Sequence, residues 1–90
     1  MNIQVRILQN FMGDSVRIQN VDSDKPVLLK MSELRFLLGV CEGTGELSHT
    51  SWSVKASGEV TVKNKKNPTY CVTFQKEEIL PLIPDEERVR

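Results

Sequence analysis

Histidine, cysteine and long apolar runs are scarce in this sequence, and each shortage excludes a class of function. His49 is the only histidine, and Cys41 and Cys71 are the only cysteines. A catalytic nucleophile needs a base within reach and a third group to orient that base. His49 stands in the polar stretch 42–50 with only Ser48 and Ser51 nearby. Cys41 falls on an expected apolar helix face, where a thiol stays protonated and inert. One imidazole and two distant thiols also lack any zinc-ligand spacing. Two cysteines are too few for a disulfide framework and read as free thiols of a reducing compartment. No apolar run approaches the ~18 residues of a membrane span. Residues 1–6 enter an alternating pattern without the basic and apolar blocks of a leader peptide. The expectation is a cytoplasmic protein that is not an enzyme and uses no metal or cofactor.

Two short motifs invite a ligand and fail on inspection. Gly43-Thr44-Gly45 lacks the Gly-Lys-Ser/Thr ending of a phosphate loop, and Glu42 and Glu46 flank it with the wrong sign of charge. Asp22-Ser23-Asp24 begins like a calcium loop, but Pro26 follows and the later glycine and glutamate are missing. Aspartates in that setting make turns.

What the chain does have is alternation. In 51–75 the even positions Trp52, Val54, Ala56, Val60, Val62, Tyr70, Val72 and Phe74 are apolar or aromatic. The odd positions between them are mostly Ser, Thr, Lys or Glu, which is the mark of strands with one dry face. A three-residue loop, Ala56-Ser57-Gly58, puts glycine where a bulged hairpin needs positive φ. It sets Lys55 opposite Glu59, Val54 opposite Val60 and Trp52 opposite Val62. The turn at 64–68 then returns a third strand, with Val62 facing Tyr70 and Val60 facing Val72.

The first third repeats the pattern. Ile3, Val5 and Ile7 alternate with polar residues, as do Val16 and Ile18. A loop at 10–13 ending on Gly13 pairs Ile7 with Val16 and Val5 with Ile18. The same register places Arg6 opposite Arg17, a mild repulsion. The stretch 27–30 reads as a third short strand. A helix follows, capped by Ser32, with Leu34, Leu37, Leu38 and Cys41 at i, i+3, i+4, i+7 and Phe36 and Val40 widening the stripe. The stretch 42–50 reads as a mobile glycine-rich connection. Near the end, Pro81 and Pro84 limit the chain to one short turn, with Ile79, Leu80 and Ile83 packed down.

The resulting expectation is an α+β fold in βββ-α-βββ order: one antiparallel sheet of five or six strands with one short helix on one face. Residues 1–84 form the domain and 85–90 a solvated tail. Twelve basic and twelve acidic residues cancel, so no overall field draws nucleic acid or membrane. The functional expectation is a non-catalytic protein that binds another protein, as an adaptor or inhibitor of the kind mobile elements and phages carry. Its contact residues would be Phe11 and Met12, apolar at a turn tip, and Lys55, Lys63, Lys65 and Lys66. A homodimer through a sheet edge is a second form of the same expectation. The alternative is a single-stranded nucleic acid binder using those lysines, for which the aromatics stand on the opposite face.

Overall fold

The computed structural model describes residues 3–9, 11 and 13–83. The expectations for Met12 and for the tail 85–90 lie outside the described residues. Strands β1 (Ile3–Leu8), β2 (Ser15–Asn20) and β3 (Val27–Lys30) form one antiparallel sheet in that order. Helix α1 (Met31–Leu38) follows β3 with no intervening residue. Strands β4 (Gly43–Glu46), β5 (Thr50–Val54), β6 (Glu59–Asn64) and β7 (Cys71–Gln75) form a second antiparallel sheet, again in chain order. A single turn, α2 (Lys76–Ile79), and a 3-10 turn (Leu80–Leu82) close the described chain.

The fold is α+β, but the single sheet of five or six strands is corrected to two sheets, of three and four strands. Cover explains the difference. An eight-residue helix is ~12 Å long, whereas six strands side by side span ~24 Å. One short helix cannot shield such a sheet, so each sheet shields the other. β2 lies near β7 and β3 near β6. Val16, Ile18, Val27 and Leu29 from the first sheet join Val54, Val60, Val62, Val72 and Phe74 from the second in one buried cluster. Met31, Leu34 and Leu37 of α1, with Ile79 and Ile83, complete that cluster.

Both expected hairpins form in the expected register. Ile7 faces Val16, Val5 faces Ile18 and Arg6 faces Arg17, with Gly13 at φ +119° in the connecting turn. Val54 faces Val60 and Trp52 faces Val62. Gly58, at φ +97°, ends the loop between them, and Lys55 N donates to the Glu59 carbonyl at 2.9 Å. The third pairing is displaced by two residues: Val62 faces Val72 and Val60 faces Phe74. Asn64 causes this by holding a longer turn. Its Oδ1 accepts from Lys66 N and Asn67 N, and its own N–H reaches the Tyr70 carbonyl. A slip of two leaves every side chain on its original face.

The helix is capped at Lys30, two residues before the expected Ser32. Lys30 N donates to Glu33 Oε1 at 2.9 Å, the reach-back of a capping box. A cap at Ser32 would put Arg35, which has no acceptor, in the position that must accept. Leu34 and Leu37 are buried as expected, joined by Met31. Cys41 lies beyond the helix end and is exposed, because Gly39 terminates the helix after Leu38. Phe36 and Leu80, expected to pack down, are partly exposed, at 52% and 39%.

The largest local correction concerns 42–50. Its first half is strand β4, paired with β5 so that Gly45 faces Trp52 and Gly43 faces Val54. The indole lies across the glycine strand: a Cβ on Gly45 would stand 2.8 Å from Trp52 Cζ2. Glycine in a strand interior usually weakens it. Here the bare backbone gives the ring its seat, and the ring replaces the missing side chains. Phe36 meets Trp52 edge to face, with centroids 5.7 Å apart.

Candidate binding face

The lysines expected to act together are divided by the fold. Lys55 precedes one end of β6 and Lys63 stands near the other, ~13 Å along the strand. Lys55 Nζ is 3.3 Å from Glu59 Oε2, and Lys65 Nζ is 3.6 Å from Glu46 Oε1. Lys63 and Lys66 are exposed and meet no carboxylate among the described residues. The rest of that outer face is hydroxyl-rich. Thr44, Ser53, Thr61 and Thr73 are cross-strand neighbours in one row, and Thr61 Oγ1 lies 3.0 Å from Thr73 Oγ1. The aromatics belong to the inner side. Phe74 is buried, Trp52 is half-buried against Phe36, and Tyr70 is half-buried with the Lys25 ammonium 6.0 Å from its ring centre.

The first sheet presents a different outer face. Its side chains form a grid set by register: Arg6, Arg17 and Leu28 in one row, Leu8, Ser15 and Lys30 in the next, Gln4 and Gln19 on the other side. Leu28 is 55% exposed and Leu8 38%. Phe11, at the tip of the β1–β2 turn, is fully exposed. A shallow groove of about 270 Å³ runs between the strands, lined by Gln4, Val5, Arg6, Arg17 and Gln19. Gln19 Nε2 donates to the Ser23 carbonyl, which fixes that amide at the groove end. Neither Arg6 nor Arg17 has an acidic partner among the described residues.

Two like charges directly opposite one another oppose sheet formation, and exposed leucines beside them add nothing to the core. Where local rules are broken without compensation, the usual reason is a functional site. Sequence reasoning placed Arg6 opposite Arg17 but counted the pair only as a cost. It did not mark Leu8 or Leu28 as exposed, although both occupy the polar phase of their strands.

The remaining titratable groups do not converge. Cys41 is exposed and Cys71 half-buried on the far sheet, with no disulfide between them. No group of three or more metal-ligating side chains occurs among the described residues. No helix among them is long and apolar enough to cross a membrane. The carboxyl of Glu33 is held below its ordinary range. Burial pushes it up, but hydrogen bonds from Lys30 N and from Ser48 Oγ and N, with the Lys30 charge, outweigh that and lower it. Its task is structural: it ties the start of α1 to the β4–β5 turn through Ser48 Oγ at 2.9 Å.

Comparison with family models, with curated proteins and with solved structures returned no match.

Proposed function

We propose that the protein is a non-catalytic binding protein, working in the cytoplasm by contact with another protein through the outer face of its first sheet. The observation that carries this reading is the set of exposed apolar side chains, Leu8, Leu28 and Phe11, around an arginine pair that meets no acid among the described residues. Protein interfaces favour this mixture: aromatic and aliphatic anchors for desolvation, and arginine for directed contact. Phe11 keeps its expected role as a contact residue. The lysines take a lesser one, since two of the four are engaged with glutamates.

The test is quantitative co-purification of the tagged protein from its native host. Leu28→Asp and Phe11→Ala are each expected to reduce the captured partner at least tenfold, with the fold intact by circular dichroism. Undiminished capture by both variants overturns the proposal. Lys63 and Lys66, exposed and without a carboxylate partner among the described residues, favour the nucleic acid reading as the second one. That reading predicts that single-stranded oligonucleotide binding falls steeply with salt and is lost in a Lys63→Glu, Lys66→Glu double variant. Binding that ignores salt rejects it. A second copy added to a sheet edge is the remaining occupant, read out by sedimentation of the pure chain.

A further inference from the structure

We infer that the Arg6–Arg17 groove is a carboxylate-binding site, and that it receives an acidic segment of the protein partner with apolar residues set beside the acids. The inference rests on the reading above and specifies its chemistry. Facing residues of an antiparallel pair have Cα atoms only ~4.5–5.5 Å apart. Two guanidinium groups therefore project from neighbouring points of one strand pair. Arginine forks bind planar oxyanions two bonds at a time, and two forks this close can converge on a single carboxylate. Lys30, the third cation of the face, lies beside Glu33 at the helix start, so the uncompensated charge is concentrated on the two arginines.

The surroundings select among anions. At about 270 Å³ the groove is large enough for an acidic side chain. Leu8 follows Arg6 on the same face, and Leu28 flanks Arg17 in the same row. A free phosphate or a phosphodiester backbone gains nothing from two leucines. A peptide gains from both. Like-faced residues of an extended chain recur every ~6.6–6.8 Å, the spacing between Arg6 and Leu8 along β1. An extended segment carrying an acid at one position and an apolar residue two positions along thus matches both groups at once. The amides of Gln4 and Gln19 at the groove end are suited to its peptide groups.

The experiment uses the full chain labelled with nitrogen-15 and a synthetic peptide, Glu-Ser-Leu-Ser-Glu-Ser-Leu-Ser, followed by NMR. Expected are shifts of the amides at 4–6 and 17–19 and of the Nε–H signals of Arg6 and Arg17. Replacing the peptide's Glu by Gln should weaken binding about ten- to hundredfold, the loss expected for a charged hydrogen-bonding partner. Arg6→Gln and Arg17→Gln should each do the same, and Arg17→Lys, which keeps charge but not the fork, should fall between. The inference is overturned if no shifts appear at millimolar peptide, if the Gln peptide binds equally well, or if shifts gather at 63–66. It is also overturned if inorganic phosphate or hexathymidylate occupies the groove more tightly than the peptide. If it fails while Leu28→Asp still abolishes partner capture, only the carboxylate assignment is lost. If neither Leu28→Asp nor Phe11→Ala has any effect on capture, the protein-binding reading itself falls.

Discussion

The two outer faces of this molecule follow the same alternating rule and have been filled in opposite ways. On the second sheet two of the four lysines are answered, Lys55 by Glu59 and Lys65 by Glu46. Its hydroxyls answer one another, as in Thr61 with Thr73. On the first sheet Arg6 and Arg17 face each other with no acid beside them among the described residues, and Leu8 and Leu28 occupy positions that alternation gives to polar residues. Paired surface groups cost little and contribute little. Unpaired ones persist against a small but real penalty. The contrast teaches that a candidate contact surface is better sought among unmet groups than where one kind of charge is most frequent in the sequence.

The contrast presupposes one core beneath both faces, and breaking that core gives the largest expected effect. Leu34, fully buried between α1 and the sheets, should cost about 2–5 kcal/mol when changed to Ala. Urea unfolding followed by far-ultraviolet and near-ultraviolet circular dichroism should show one transition in both signals. Two separated transitions would make the sheets independent units. Next comes Gly45→Ala, which drives a Cβ into the indole of Trp52. It should destabilise by about 1–3 kcal/mol, and amide exchange at 43–46 should accelerate most. Unchanged exchange there would mean that β4 does not depend on the ring.

Glu33 sharpens the comparison through pH, because it joins α1 to the second sheet. Its folded carboxyl sits below its ordinary value. The stability it adds is therefore complete above the unfolded pKa and is lost as pH falls through the folded one. Glu33→Gln should cost about 0.5–1 kcal/mol at neutral pH, in the range of a lost cap. The difference from the parent protein should vanish in acid, leaving a shallower acid limb in thermal melts. A pH-independent difference would assign the loss to packing. The smallest effect belongs to Leu28→Asp on the isolated chain, within about ±0.5 kcal/mol, as for an ordinary surface change. A larger loss would mean that this leucine belongs to the fold and not to a contact.

Local rules with one solution could be read from the residues. Gly58 and Gly13 each stand where their hairpin needs positive φ, so both turns, their registers and the apolar faces were legible. Longer-range choices were not. The 64–70 turn depends on Asn64 accepting two backbone N–H groups, which composition does not display. The split into two sheets follows from how little one eight-residue helix can cover, an inference about area that alternation alone does not prompt. Strand β4 was missed because glycine argues against a strand, until an aromatic ring from the neighbouring strand fills its face. The candidate face was half visible. Register placed the arginines together, but only burial separates Leu28, which points outward, from Leu29, which is buried.

Trp52 has a practical corollary. It is the only tryptophan in the chain, and it is wedged where β4, β5 and Phe36 meet. The protein thus carries a native fluorophore at the junction of helix and second sheet, on the inner side and on a different sheet from Arg6 and Arg17. Its emission should redden when the glycine strand lifts away and stay constant when a ligand settles on the first sheet, so a single cuvette can separate loosening from binding.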